Sequence, residues 1–321
     1  MNTDLCIVSL IFSLSFLATL IIGYIVIKLS FSRDLIGRDV HKFWESYASD
    51  IGGLSLIAAP IIATLFYPSR ENLAILLSSL ISLAIGLYDD LYVLSGRVKP
   101  LVSIIASIPV IVLGVYSPYP RIPLLGEARL TILYPLVIAI GYSIALNAFN
   151  MSDTHNGLII GVSLITLSVL TPYIAFVNPT RLSTLLSLTA SLSAFLLYNA
   201  YPAKSFVGNS GSFILGSWFA SIAFIERIEF LLIIALLPLI INGFSILTTI
   251  GGFKERREIK KRPVSVVKGL IYGNRDPDAP ITLTNIASLR RPIKETDYVV
   301  SIYILSLISS VLGLIIWISL A

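Results

Sequence analysis

The sequence predicts an all-α integral membrane protein of about ten transmembrane helices, with both termini on the extracytoplasmic side and an active site in the cytoplasmic loops. Three observations predict it. Of 321 residues, 56% are hydrophobic and 13% charged, whereas soluble chains carry about a quarter charged residues. Apolar runs of about 17 to 25 residues recur along the whole chain, the length a helix needs to cross roughly 30 Å of hydrocarbon. Short alternating segments, the pattern of a transmembrane barrel, are not seen.

In chain order the expected spans are roughly 5–31, 51–67, 73–88, 101–116, 130–149, 157–177, 182–201, 211–225, 229–251 and 298–320. The first run, Leu5 to Ser30, is too long for a signal-peptide core and has no Ala-x-Ala-like cleavage site, so it is expected as a retained helix. With no linker or low-complexity stretch, residues 1–321 are expected to form a single polytopic domain. Lys and Arg number 17 in the odd-numbered loops and 5 in the even-numbered ones, which places the odd loops in the cytoplasm. The last odd loop alone supplies 11 of them, and the remaining loops favour the same side by 6 to 5. A net charge of +5 in such a chain points to anionic lipid or substrate and not to nucleic acid. The single cysteine, Cys6, excludes an internal disulfide.

Five polar features lie in these odd loops. Residues 86–100, Gly-Leu-Tyr-Asp-Asp-Leu-Tyr-Val-Leu-Ser-Gly-Arg-Val-Lys-Pro, follow the third span. The adjacent carboxylates Asp89 and Asp90 repel each other and call for a cation, and hard cations such as Mg²⁺ take oxygen ligands. Arg97 and Lys99 lie within reach to meet a phosphate; an ordinary helix end and basic turn fits the same letters. Residues 147–158, Asn-Ala-Phe-Asn-Met-Ser-Asp-Thr-His-Asn-Gly-Leu, form a polar turn with no Lys or Arg. Asn150 offers a carbonyl oxygen to a metal, Asp153 a carboxylate, and Asn156 an amide for a nucleobase edge, although a turn rich in Asn and Gly for backbone reasons is also allowed.

Residues 204–212, Lys-Ser-Phe-Val-Gly-Asn-Ser-Gly-Ser, run into the eighth span. Backbone N–H groups at that helix start are suited to receive an anion, though a plain N-cap by Asn209 or Ser210 explains the same residues. Between Lys254 and Arg262 six of nine residues are cationic, a patch for lipid headgroups or a diphosphate. The loop before the second span adds Asp34, Asp39, His41, Lys42 and Asp50-Ile51-Gly52-Gly53. With only two histidines, His41 and His155, a zinc site built on several histidines is excluded.

Asp89-Asp90 to Lys99, the Asn147-Ala148-x-Asn150 to Asn156-Gly157-Leu158 turn and Phe206-Val207-Gly208-x-Ser210-Gly211-Ser212 together resemble the polyprenyl-phosphate N-acetylhexosamine-1-phosphate transferases. Gly37-x-Asp39-x-x-Lys42, Asn156 in place of the usual bacterial Asp, Arg262-Pro263 and Ala279-Pro280-Ile281-Thr282-Leu283-Thr284-Asn285 are similar to the eukaryotic and archaeal branch. The resemblance implies a ten-helix plan, a cytoplasmic active site and dependence on Mg²⁺, with Mn²⁺ as a substitute. It implies Asp89 and Asp90 at the catalytic centre, one near the acceptor phosphate and one near the metal. Asn150, Asn209 and Asp90 would be the metal ligands, Lys99 would hold phosphate, Asn156 would read the uracil, and Asp153 matches a carboxylate of the bacterial pattern. Asp39, Lys42, Asp50, Gly53, Arg97, Gly157, Arg256, Arg257 and Arg262 would complete the substrate contacts.

Two departures stand out. Asn209 replaces the metal-binding Asp usual in the family, and Asp153 is positioned in the sequence to restore the lost charge. Ser49-Asp50 replaces the family's Pro-Glu or Ala-Glu before the two glycines. The implied partners are a UDP-sugar and a polyprenyl or dolichyl phosphate within the bilayer, with a homodimer allowed. The implied membrane is the plasma membrane of an archaeon or the endoplasmic reticulum of a eukaryote. A transporter is the main rival, but transporters set their charged groups inside the spans, and here the acids gather at loop ends.

Overall fold

The computed structural model describes residues 2–254 and 258–320. Arg256 and Arg257, expected to contact the diphosphate, lie outside the described residues. The chain is a bundle of helices joined mostly by short loops, with one long connection between residues 249 and 283. Its elements begin with α1 (Asn2–Ser32), the hairpin strands β1 (Ile36–Arg38) and β2 (Tyr47–Ser49), a 3₁₀ turn at Gly52–Ile57 running into α2 (Ala58–Phe66), and α3 (Arg70–Tyr92). After it come α4 (Val98–Ser103), α5 (Ile108–Val112), strands β3 (Arg121–Ile122) and β4 (Gly126–Glu127), and helices α6 (Tyr134–Ser152), α7 (Leu158–Val177) and α8 (Leu182–Asn199). The chain then forms α9 (Gly208–Ile225), α10 (Glu229–Ala235), α11 (Leu237–Thr249), strands β5 (Val264–Val267) and β6 (Leu270–Gly273), α12 (Leu283–Ser288), β7 (Ile293–Lys294) and α13 (Glu295–Leu320).

Among the described residues six helices are long and apolar enough to cross a membrane, and a seventh span results if α10 and α11, bent by 74°, count as one. This makes a multi-pass membrane protein. Three of the spans expected from hydropathy are shorter or more polar than that. Gly52–Phe66 and Val98–Val112 are short apolar helices, interrupted by 3₁₀ geometry at Gly52–Ile57 and Ile104–Ser107. The third, α9, opens on Gly-Asn-Ser-Gly-Ser and is buried from Ser210 to Phe224. A helix enclosed by protein on all sides does not have to be apolar enough for lipid.

Packing around α9 sets the architecture. A Cβ at Gly86 of α3 would stand 2.5 Å from the Asn209 carbonyl oxygen, and one at Gly216 of α9 would stand 2.5 Å from the Cα of Leu146 in α6. Glycine at these two points lets α3 and α6 lie directly on α9. Phe149 stacks on Phe219 with ring centroids 5.2 Å apart, and Trp218 Nε1 donates to Ser79 Oγ at 3.0 Å. Helices α1 and α8 are joined by hydroxyl pairs one turn apart, Ser15 with Ser187 and Thr19 with Ser191, each at 2.6 Å. Such small polar pairs hold helices together where lipid offers no hydrophobic drive. At the end of α3 opposite Asp89 and Asp90, Arg181 bridges Glu71 (3.0 Å) and Glu226 (2.6 Å).

The loops carry strand structure that an all-α expectation does not include. β1 pairs with β2, β3 with β4, and β5–β6–β7 form a small antiparallel sheet. These hairpins are too short to show alternating hydropathy against apolar spans. Strand β2 ties the loop after α1 to the one before α9, where Phe206 N donates to Ser49 O at 2.8 Å, and α12 is held to α11 by Leu283 N donating to Asn242 Oδ1 at 3.0 Å; β3 and β4 lie in an even-numbered loop.

Candidate active site

The start of α9 is where the expected residues converge. The turn at Gly208 has a φ of 69°, and a Cβ there would meet the Asp50 carbonyl oxygen at 2.1 Å, so only glycine fits. Asp90, at the end of α3, accepts the backbone N–H of Asn209 on Oδ1 at 2.8 Å and that of Ser210 on Oδ2 at 3.0 Å. Asp153, at the end of α6, accepts the N–H of Gly208. The expectation that these amides stand ready for a substrate anion is therefore corrected, because carboxylates of two neighbouring helices already meet them. Burial and the nearby charge of Asp90 push the Asp153 carboxyl up to about 7 despite the Gly208 N–H. Asn150 donates from Nδ2 to Asn209 Oδ1 and to Ser212 Oγ (3.1 Å), so two of the expected metal ligands touch.

Asp89 stands one residue before Asp90 and is buried. Val93, with a φ of 54°, ends α3 in the left-handed region and turns the chain back. That turn brings Leu94 N to Asp89 Oδ1 at 2.6 Å. It also lets α4 return Lys99, whose Nζ lies 3.0 Å from Asp89 Oδ2. The contact predicted to be between Lys99 and phosphate thus begins as an ion pair with Asp89. Arg97 is exposed at the start of α4.

A second buried cluster lies behind the Asp153–Asn156 turn. Asn156 donates from its backbone N to Glu295 Oε1 (2.8 Å) and from Nδ2 to Asp39 Oδ2 (2.7 Å). The Lys42 ammonium is 2.9 Å from Asp39 Oδ2 and 2.6 Å from Glu295 Oε2, and 3.8 Å above the Tyr201 ring. The two histidines of the chain stack on each other, centroids 4.5 Å apart, and the Tyr298 ring also lies 4.5 Å from that of His155, tilted by 50°. Burial and the charges of His41 and Lys42 hold the His155 imidazole well below its usual range. Asp39, His41 and Glu295 have the spacing of a metal site, but the Lys42 ammonium lies between the two carboxylates.

Several expected substrate contacts have other roles here. Gly53 is a packing residue: a Cβ would stand 2.1 Å from the Val207 carbonyl oxygen and 2.7 Å from the Gly211 Cα. Gly157, with φ 78°, is the cap residue before α7, donating its N–H to Asn199 Oδ1 and accepting the Tyr303 hydroxyl on its carbonyl. Asp50 packs its carboxylate against Gly37, and burial raises its pKa. Of the basic loop, Lys261 pairs with Asp276 and Asp278, and the Arg262 carbonyl accepts Asn274 Nδ2. Glu295, Tyr201 and Tyr298 were missed by sequence reasoning. Glu295 reads as an ordinary acidic residue in a helix first turn, and its partner Asn156 is 139 positions away.

The donor set at α9 suits a hard divalent cation. Asn150, Asn209, Asp153 and Asp90 offer oxygen atoms alone, and a carboxylate oxygen that accepts an N–H keeps a further lone pair. Rotation of the Asn150 and Asn209 amides would present both oxygens to one ion.

Residues 72–226, which hold Asp89, Asp90, Lys99, Asn150, Asp153, Asn156 and Asn209, match the model of glycosyl transferase family 4. A Saccharolobus solfataricus protein named as a candidate UDP-N-acetylglucosamine–dolichyl-phosphate N-acetylglucosaminephosphotransferase is 30% identical over 315 residues, 94% of each chain. A Sulfolobus acidocaldarius protein with the same name is 33% identical over 242 residues, 71% of this chain and 74% of the relative. The phospho-N-acetylmuramoyl-pentapeptide-transferase of Dictyoglomus thermophilum is 31% identical over 236 residues, 70% of this chain and 76% of the relative. On a match that runs nearly the full length of both chains, the protein belongs to glycosyl transferase family 4, on the branch that holds its archaeal members.

Proposed function

We propose that the protein transfers N-acetylglucosamine 1-phosphate from UDP-N-acetylglucosamine to a polyprenyl (dolichyl) phosphate, giving the lipid-diphosphate sugar and UMP, as the first lipid-linked step of protein N-glycosylation. The observation that carries this reading is the meeting of Asp90, Asp153, Asn150 and Asn209 at the start of α9, beside the Asp89–Lys99 pair. The site lies at helix ends, where a lipid phosphate arriving from the bilayer would stand. The same reading includes a ten-pass arrangement, in which Gly52–Phe66, Val98–Val112 and α9 would join the seven spans, with both termini extracytoplasmic and the site facing the cytoplasm.

The chemistry asks little of a general base. A phosphate monoester has a second pKa of about 6, so the acceptor is largely dianionic at neutral pH. Its oxygen attacks the β-phosphorus of the UDP-sugar, and the bond to the α-phosphate oxygen breaks to release UMP. The demand is to bring two anions together in line, which is positioning and electrostatic work. Mg²⁺, held by Asn150, Asn209, Asp153 and Asp90, would offset diphosphate charge when bound. Lys99 supplies a fixed cation, and Asp89 aims it. Exposed Arg97 and the 254–262 loop extend the positive surface.

Incubating purified protein in detergent with radiolabelled UDP-N-acetylglucosamine, dolichyl phosphate and Mg²⁺ tests the reading. Labelled lipid and UMP in equal amounts are expected. Product only from another UDP-sugar would move the protein to cell-surface polysaccharide synthesis, and sugar uptake into vesicles without a lipid product would make it a transporter.

A further inference from the structure

We propose that Asp39, clamped by Lys42 and Glu295, sets the orientation of the Asn156 amide and so makes the site select uracil over cytosine. The inference rests on the reading that Asn156 faces the base of a pyrimidine nucleotide; it adds the positioning residues and the reason for selectivity.

The argument starts from the symmetry of an amide. Asparagine presents an oxygen and an NH₂ of nearly equal shape, and rotation by 180° about its terminal bond exchanges donor and acceptor. Uracil offers an N3–H donor beside carbonyl acceptors. Cytosine offers N3 as an acceptor beside an amino donor. A freely rotating asparagine can pair with either base by flipping, so the residue alone carries no preference.

Here the amide is not free to flip. Nδ2 donates to Asp39 Oδ2 at 2.7 Å, and the same oxygen lies 2.9 Å from the Lys42 ammonium. A carboxylate in an ion pair accepts hydrogen bonds and donates none. Turning Oδ1 towards it would set two acceptors against each other in a buried place, where an unmet polar pair is costly. Glu295 fixes both ends of the frame, accepting the Asn156 backbone N–H at 2.8 Å and holding Lys42 at 2.6 Å. Asp39, Lys42, Asn156 and Glu295 are all more than nine-tenths buried. Among the described residues no donor reaches Asn156 Oδ1, and that acceptor is what uracil N3–H requires.

Three variants and two ligands test this. Binding of UMP and CMP to the full-length protein in detergent is measured for wild type, Asp39→Asn, Asn156→Asp and the double variant Asp39→Asn/Asn156→Asp. Wild type should prefer UMP. Asp39→Asn can accept or donate towards residue 156, so the UMP:CMP affinity ratio should fall by about tenfold or more. Asn156→Asp alone puts a carboxylate against Asp39 and should lose UMP binding. The double variant restores a donor–acceptor pair with an acceptor-only residue at 156 and should regain binding with UMP preferred. A purely structural role for Asp39 would lower affinity for both nucleotides without moving their ratio. An unchanged ratio in Asp39→Asn overturns the proposal. If Asp39→Asn does not fold, the swap decides: a double variant that binds UMP no better than Asn156→Asp overturns it. A wild-type protein that transfers sugar phosphate from UDP-N-acetylglucosamine yet binds UMP and CMP equally refutes this inference alone. One that binds neither nucleotide and transfers nothing refutes the proposed function as well.

Discussion

The carboxylate of Asp90 accepts the backbone N–H of Asn209 at 2.8 Å, so a residue expected beside the metal also caps the helix that carries the neighbouring ligand. Folding and chemistry are therefore coupled at Asp90. Asp90→Ala removes acceptors from two helix-start amides at once, a loss of about 1–2 kcal/mol for a typical cap. The expected outcome is a lower melting temperature together with loss of UMP release. Asp90→Asn keeps one acceptor oxygen and should melt between the two. Asp90→Ala with wild-type melting and turnover would show that neither role is real.

Asp89 and Lys99 form a unit whose parts can be separated by a double-mutant cycle. If Asp89 serves to aim the Lys99 ammonium at phosphate, Asp89→Asn and Lys99→Met each lower kcat, by about 10²-fold on the scale of one lost electrostatic contact. The double variant should then be no slower than Lys99→Met within a few-fold, because the two losses are one loss. Multiplicative effects on UMP release would mean that Asp89 acts on its own.

Much of this was legible in the sequence because it depends on local letters. The helical bundle follows from hydropathy, and the residues meeting at α9 came from three motifs assigned to one face by loop charge. What was not legible depends on partners far apart in the chain. A glycine looks the same whether it lets a phosphate approach or a helix, so Gly53 and Gly157 were expected at substrate and lie in packing. Amides at a helix start look available until Asp90 and Asp153 arrive from other helices. Glu295 reads as a helix-start acid, and only the fold joins it to Asn156 and Lys42. Hydropathy also counts α9 as it would a lipid-facing helix, although its serines and glycines reflect burial within protein.

Gly53 offers a clean separation of packing from binding. A Cβ there stands 2.1 Å from a backbone carbonyl and 2.7 Å from the Gly211 Cα, with no flexible side chain to move aside. Gly53→Ala should therefore destabilise by about 1–3 kcal/mol or more, the range for overpacking, and lower the yield of monodisperse protein. In the fraction that folds, KM for the UDP-sugar should stay near wild type. A raised KM with unchanged melting would return Gly53 to the substrate site.

The charge missing at Asn209 is the last point the geometry addresses. Asp153 accepts the N–H of Gly208, the residue next to Asn209, and senses the charge of Asp90. A carboxylate there can supply the negative ligand that an amide at Asn209 cannot, since a hard divalent cation gains more from a charged oxygen than from a neutral one. Mn²⁺ binding followed by electron paramagnetic resonance on nucleotide-free protein reads this without turnover. Asp153→Asn should weaken binding by about tenfold or more, equivalent to about 1.4 kcal/mol. Asn209→Asp introduced into the Asp153→Asn protein should recover it, because the charge returns at the residue next to Gly208, whose N–H Asp153 accepts. If Asp153→Asn binds Mn²⁺ as tightly as wild type, the carboxylate of Asp153 serves only to cap α9, and the metal is held by Asn150, Asn209 and Asp90 alone.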